Sequence, residues 1–242
     1  MLRTMGTDNV TENGTENAIG NVAAPAAGDL PARSTLIILV RHGVTPTTGQ
    51  VLPGRTPGLH LSEAGEEQAR GVAERLDGLP LAAIYSSPME RAVETSRPTA
   101  ERFGLSPVTC EGIVECDFGE WTGAQLAELS KLPEWQNVQK TPSSFRFPGG
   151  ESFTEMQDRM VGSLGDIAAR HKGEVVACFS HADPIKTVIA HLSGTPLDSF
   201  QRISTDPASI SVAEFAPDGS SRMVLTNSRT GSLQYLREVA QP

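Results

Sequence analysis

Arg41, His42 and Gly43 directly follow a run of apolar residues, Leu36-Ile37-Ile38-Leu39-Val40. Such a run reads as a strand covered on both faces. Its carboxyl end is where open α/β sheets hold their ligands. Two further clusters follow later strand-like runs in the same way: Ser86-Ser87-Pro88-Met89-Glu90-Arg91 and Ser180-His181-Ala182-Asp183. Two arginines and two histidines gathered at neighbouring strand ends could hold a phosphate and pass it to an imidazole. A neutral imidazole attacks phosphorus when one nitrogen is free and the other is fixed by a hydrogen bond. His42 is the candidate for that role. Gly43 would let a phosphate approach the backbone closely, and Arg41 offers a planar fork to two phosphate oxygens. Arg91 falls in the first turn of a helix, where a cation opposes the dipole unless an anion shares the site. His181 stands before a helix whose amides face the same strand end, so it can contact a phosphate oxygen and help stabilise transition-state charge. Read singly, each residue has a plainer alternative: an accidental histidine at a strand end, a solvated arginine, a structural histidine.

Phosphoryl transfer also needs a proton donor for the leaving oxygen. Glu115, in Glu115-Cys116-Asp117-Phe118-Gly119-Glu120-Trp121-Thr122-Gly123, is the candidate. Its aromatic neighbours could shield it from water and keep it partly protonated. Asp117 and Glu120 are local rivals that spacing does not separate. His60, His171 and His191 read as structural or surface residues. None of these three stands at metal-ligand spacing from a carboxylate or cysteine, so no metal and no cofactor are expected. Cys110, Cys116 and Cys178 form no CxxC pair. They read as reduced, buried thiols of a cytoplasmic protein. Cys116 stands apart only because it adjoins Glu115.

The elements that must position these residues alternate between strand and helix from Thr35 onward. Ser62 reads as an N-cap, with Glu63, Glu66 and Glu67 in the first turn and Gly78 as the stop. Leu81 to Tyr85 is a short strand. Ser87-Pro88-Met89-Glu90 combines a capping box with proline at the first helical position, and Gly104 closes that helix. A kink is expected at Pro98. Pro107 to Cys110 reads as a strand, and residues 122–139 as a helix broken near Pro133. Phe153, Met156, Met160, Leu164 and Ile167 form the inward stripe of a long helix after the turn at Pro148-Gly149-Gly150. Glu174 to Phe179 is a buried strand, and Asp183-Pro184 caps the next helix. A hairpin closes the pattern: Ser209 to Phe215, a turn at Pro217-Asp218-Gly219, then Arg222 to Thr226. The expected fold is a three-layer α/β/α sandwich with a mainly parallel sheet over residues 35–242, carrying a helical cap portion around 112–150.

Residues 1–34 read as a tail, poor in large apolar side chains and unable to offset the entropy of ordering. They lack the apolar run of a signal peptide, and a later start codon is an alternative beginning. No apolar stretch of the 242 residues is long enough to span a membrane. The net charge of −9 argues against a nucleic-acid partner. An anionic ligand must then be held by a local arginine cluster, which favours a small phosphorylated metabolite over a polyanion. A homodimer is one expectation for the assembly.

Taken in order, Arg41-His42-Gly43, Arg91 after Ser-Ser-Pro, Glu115 before Asp-Phe-Gly-Glu-Trp-Thr-Gly, Pro148-Gly149-Gly150-Glu151-Ser152 and Ser180-His181 resemble the histidine phosphatase superfamily, also called phosphoglycerate mutase-like. The resemblance runs from Thr35 to about Ser228 and lies nearest the small phosphatase branch of actinobacterial type. It implies His42 as the phosphohistidine nucleophile, Arg41, Arg91 and His181 as the phosphate pocket, and Glu115 as acid, then base. The family commonly continues Arg-His-Gly with Glu-Thr-x-x-Asn. This chain has Val44-Thr45-Pro46-Thr47-Thr48, so the asparagine contact falls on Thr48. Ala182 replaces a frequent glycine and leaves its amide available. Arg55, after Gly54, would be a third arginine to the substrate or a surface turn. The activity implied is metal-independent hydrolysis of a phosphate monoester. A bisphosphoglycerate-dependent mutase and a non-catalytic phospho-ligand-binding protein are the alternatives.

Overall fold

The computed structural model describes residues 33–239. The tail expected over 1–34 lies, up to residue 32, outside the described residues. The chain runs β1 (Thr35–Arg41), α1 (Glu63–Leu76), β2 (Leu81–Ser86), α2 (Glu90–Phe103), β3 (Val108–Thr109), α3 (Leu126–Leu129), α4 (Trp135–Lys140), α5 (Phe153–Arg170), β4 (Val175–Ser180), α6 (Ala182–Leu192), β5 (Ile210–Phe215), β6 (Ser221–Ser228) and α7 (Leu236–Val239). One six-stranded sheet has the order β3-β2-β4-β1-β5-β6. β1, β2, β3 and β4 pair in parallel, whereas β5 and β6 are antiparallel.

Alternation along β1 explains the layers. Leu36, Ile38 and Val40 pack with Val72 and Leu76 of α1 and Ala100 of α2. Ile37 and Leu39 face the other way, onto Met160 and Leu164 of α5 and Val188 of α6. All five strand residues are fully buried, and each such side chain contributes roughly 1.5–3 kcal/mol by leaving water. β1 therefore lies in the middle of the sandwich. Its register sets Arg41 opposite Ser180, and that of β2 sets Ser86 opposite Phe179. The carboxyl ends of β1, β2 and β4 thus stand side by side.

Some expected boundaries move. α2 begins at Glu90, and Met89 caps it without a side-chain hydrogen bond. The capping box expected at Ser87 is not formed; its hydroxyl accepts the Met89 amide at 3.3 Å instead. α2 continues through Pro98. α6 begins at Ala182 with His181 at the N-cap, so Asp183 and Pro184 lie inside the first turn. There the missing proline N–H disrupts nothing. The helix expected over 122–139 and broken near Pro133 is two short ones, α3 and α4, separated there as expected. β3 is only Val108–Thr109, and β6 extends to Ser228. α5 carries a true capping box: Ser152 Oγ accepts the Glu155 amide and Glu155 reaches back to the Ser152 amide.

The segment between β3 and α5 packs through its own aromatic cluster, in which Phe118, Trp121, Phe145 and Phe147 meet Phe153 and Phe200. Gly119 and Gly150 let two backbones touch here. A Cβ on Gly119 would meet the Pro148 carbonyl at 2.1 Å, and one on Gly150 the Asp117 carbonyl at 2.3 Å. Among the described residues, no helix is long and apolar enough to cross a membrane.

Candidate active site

His42 leaves the end of β1 and is 5% exposed. Its Nδ1 lies 2.7 Å from the Gly43 carbonyl. A carbonyl only accepts, so Nδ1 carries the proton and Nε2 keeps its lone pair. Burial holds the ring neutral, with a pKa down at about 3, and the Arg91 and Arg41 charges add to the effect.

His181 leaves the end of β4 and is fully buried. The two imidazole centroids are 5.3 Å apart and their planes are tilted by 58°. His181 Nε2 meets Ser87 Oγ at 2.7 Å. That oxygen also accepts the Met89 amide, and its O–H has no other acceptor among the described residues, so the O–H donates to Nε2 and the His181 proton sits on Nδ1. This Nδ1 is buried without a hydrogen-bond partner among the described residues. Burial and the Arg91, His42 and Arg41 groups hold the His181 pKa well below its ordinary value.

Arg91, fully buried, donates through Nη2 to the Gly54 carbonyl at 2.9 Å. Its Nε and Nη1 have no partner among the described residues. Arg41 donates through Nη1 to the Thr205 carbonyl at 2.7 Å, and its Nε is likewise unpartnered. Backbone carbonyls therefore aim both guanidinium groups, and several buried N–H donors are left without acceptors. A lost acceptor at a buried donor costs about 1–3 kcal/mol, so the arrangement suits an anion with several oxygens.

Glu115 is 6% exposed and follows the 3₁₀ turn at Glu111–Ile113. Its Oε1 accepts the Cys116 amide at 2.9 Å, and its Oε2 lies 3.8 Å from His181 Nδ1. Burial pushes its pKa up to about 7; Arg91 opposes this and Asp183 adds to it. A carboxyl in that range can give and take a proton near neutrality. The rivals Asp117 and Glu120 stand differently. Asp117 Oδ1 accepts the Gly119 amide in a local turn, and neither carboxylate lines the cavity beside His42. That cavity, of about 280 Å³, is bordered by Arg41, His42 and Glu115 at the sheet. Leu52, Leu126 and Trp135 form an apolar wall, and Asp183, Lys186 and Gln201 a polar one.

Residues 37–228 match the model of the histidine phosphatase superfamily, branch 1. The chain belongs to this superfamily. A bifunctional protein of Mycobacterium tuberculosis is 36% identical over 205 residues, which cover 82% of this chain and 55% of that protein. The chain thus spans about half the length of that relative. Phosphoserine phosphatase 1 of Hydrogenobacter thermophilus is 34% identical over 181 residues, covering 73% of this chain and 84% of the relative. The structure of YhfR from Bacillus stearothermophilus superposes with a TM-score of 0.76 at 26% identity, over 81% of this chain and 98% of that one. A phosphoserine phosphatase from Entamoeba histolytica, solved with phosphoserine, superposes with a TM-score of 0.73 at 25% identity, over 81% of this chain and 98% of that one.

Within this member of the superfamily the structure brings Arg41, His42, Arg91, Glu115 and His181 together, and it separates others from that group. Gly43 meets a packing requirement. A Cβ there would meet the Gly65 carbonyl of α1 at 2.6 Å. Thr48 borders the cavity, but its hydroxyl accepts the Thr45 amide at 2.8 Å and pairs with Thr45 Oγ1 at 3.0 Å. It holds its own turn. Arg55 does not reach the cavity. Its Nε donates to the Glu115 carbonyl at 2.9 Å and its Nη2 pairs with Glu151 at 3.1 Å. Ala182 does border the cavity, at the first turn of α6, where amides have no intrahelical acceptor. Cys116 is fully buried, and burial beside Glu115 raises its thiol well above the ordinary value. It is a packing residue. His60 pairs with Glu94, and His171 with Glu174 and Tyr85, all away from the cavity.

Sequence reasoning missed Ser87 as the partner of His181, because the capping-box pattern claimed it. It also missed the Thr205 and Gly54 carbonyls, which any residue type supplies.

Proposed function

We propose that this chain hydrolyses a small phosphate monoester through a phosphohistidine at His42, without a metal ion. His42 Nε2 attacks phosphorus and the ester P–O bond breaks. Glu115 gives its proton to the leaving oxygen. In the second half, the Glu115 carboxylate takes a proton from water, the oxygen attacks phosphorus, and the P–N bond breaks. Inorganic phosphate leaves and Nε2 regains its lone pair. Arg41, Arg91 and His181 Nδ1 supply the donors for the equatorial oxygens, a task that a metal ion performs elsewhere. Ala182 adds the helix N-terminus.

One observation carries this reading above the others. The Nδ1–H of His42 is tied to the Gly43 carbonyl, which leaves Nε2 free in a site that also holds buried, unpartnered donors and a carboxyl with a raised pKa. A protein that only recognised phosphorylated partners would need the donors but not the acid. The two phosphoserine phosphatases similar to this chain support the hydrolase over the mutase.

The test is phosphate release from p-nitrophenyl phosphate with chelator present. Activity that survives chelation, is inhibited by vanadate and is lost on the order of 10³-fold or more in His42→Ala is the expected result. A folded His42→Ala variant with wild-type turnover ends the assignment.

A further inference from the structure

Glu115 sits in a stretch without regular secondary structure, between the 3₁₀ turns at Glu111–Ile113 and Gly119–Trp121. Backbone ladders do not hold it, yet a proton donor must stand within hydrogen-bond reach of the leaving oxygen. The hydrogen bonds around it converge on three charged side chains. Arg159 Nη1 donates to the carbonyls of Gly112 at 2.9 Å and Val114 at 3.1 Å. Arg55 Nε donates to the carbonyl of Glu115 itself at 2.9 Å. Glu151 Oε1 accepts the Asp117 amide at 3.1 Å. Residues on both sides of Glu115 are thereby gripped.

Glu151 joins the grips into one device. It takes the Arg159 fork through both oxygens, Nη2 at 2.7 Å and Nε at 3.3 Å. Its Oε2 also meets Arg55 Nη2 at 3.1 Å. Its backbone amide donates to the Asp117 carbonyl at 3.0 Å. Glu151 is 14% exposed at its side chain and Arg159 22%. A two-pronged pair of this kind has a defined geometry as well as a defined charge. The device reaches the phosphate side too. Gly54, beside Arg55, is the carbonyl that aims Arg91.

We propose that Glu151, clasped by Arg159 and Arg55, is a positioning residue that sets where the Glu115 carboxyl stands relative to the leaving oxygen. This rests on Glu115 being the acid of the proposed hydrolase. Glu151 touches no reacting atom. It acts through the backbone of residues 112–117. A displacement of about 1 Å at a reacting group can cost roughly 100-fold in rate, so a small relaxation of this clasp has a measurable effect.

The effect has a signature that simple loss of fold lacks. A poor leaving group needs the proton from Glu115, whereas a nitrophenolate does not. The experiment compares kcat/KM for β-glycerol phosphate and p-nitrophenyl phosphate, which reports the phosphorylation half-reaction alone. Glu151→Gln keeps the acceptor for the Asp117 amide and removes the charge that holds the two arginines. It should lose about 10-fold to 100-fold on the alkyl ester and little on the aryl ester. Arg159→Lys keeps the charge without the fork and should lose in the same sense. Arg55→Lys keeps the fold least disturbed, since that side chain is 37% exposed, and should shift the same ratio by a smaller factor. Equal losses on both esters, or an unchanged ratio in all variants, overturn the positioning role alone. A wild-type protein that releases phosphate from neither ester overturns both this role and the hydrolase reading.

Discussion

The carbonyl of Gly43 receives the Nδ1–H of His42 at 2.7 Å, and the amide of Gly43 donates to Thr95 Oγ1 at 3.0 Å. The residue after His42 therefore decides which ring nitrogen keeps its lone pair, and α2 in turn fixes that residue. Gly65 closes on the same place from α1; a Cβ on Gly65 would meet the Val44 carbonyl at 2.1 Å. The end of β1 is wedged between two helices with no room for one more carbon.

Gly43→Ala should accordingly be destabilising by about 1–3 kcal/mol, the usual cost of overpacking. Its activity should fall beyond the loss of folded protein, because the Gly43 carbonyl moves with the backbone. Urea unfolding together with kcat/KM per folded molecule separates the two effects. A variant as stable and as active as wild type would show that the β1–α1 contact has slack.

The pH profile should differ with the leaving group. For kcat/KM on an alkyl ester, Glu115 must be protonated in the free protein. Its pKa of about 7 puts a descending limb there, with a tenfold fall per pH unit above it. The same limb should be absent for p-nitrophenyl phosphate and disappear in Glu115→Gln. That variant should lose about 10²–10⁴-fold on alkyl esters. His42 protonates only near about 3, so it imposes no loss between pH 5 and 7. Identical limbs for both esters would show that the limb does not report protonation of the leaving oxygen by Glu115.

The strands that build this site were legible because each is marked by a continuous apolar run ended by polar residues. Leu36–Val40 could be nothing but a central strand, and Arg41 and His42 follow by chain geometry alone. The histidine at the end of β4 was readable for the same reason. Gly43 reads from sequence as room for a phosphate against the backbone; its contact with Gly65 is distant in sequence and invisible to local patterns. From sequence Arg55 reads either as a third arginine to the substrate or as part of a surface turn. It is bound instead to Glu115 and Glu151, a pairing set by where the 44–58 loop folds over the sheet ends. Ser87 carried two compatible local readings, a helix cap and a side-chain partner, and only the position of His181 decides between them. Residues 122–139 have helical periodicity, but Pro133 breaks the ladder and the aromatic cluster takes over the packing.

Stability should carry the imprint of Glu115. Its folded pKa of about 7 lies above its ordinary 4.5, so the native state holds this proton more tightly than the unfolded chain. The contribution is full below pH 4.5 and is lost as pH rises through 7. Glu115→Gln cannot ionise and can still accept the Cys116 amide. Relative to wild type, it should therefore be more stable at pH 8 than at pH 5, by about 2–3 kcal/mol in the difference. Urea unfolding at the two pH values checks this. A difference of zero, or of opposite sign, would mean that Glu115 is already ionised in the native protein at pH 5.

Ser87 gives the sharpest test of how His181 meets the ligand. The serine is fully buried and its hydroxyl is the recorded partner of His181 Nε2. Ser87→Ala leaves that nitrogen buried and unpaired, which costs about 1–3 kcal/mol of stability. It also releases the tautomer. With the proton free to move to Nε2, Nδ1 turns a lone pair toward the anion instead of a donor. Competitive inhibition by inorganic phosphate should weaken about tenfold, the equivalent of one hydrogen bond to a charged group. kcat/KM should fall at least as far on both alkyl and aryl esters, because the equatorial oxygens are shared by all substrates. Ser87→Thr retains the hydroxyl and should recover much of the loss. Unaltered phosphate inhibition in a folded Ser87→Ala variant would show that His181 Nδ1 donates nothing to the bound anion.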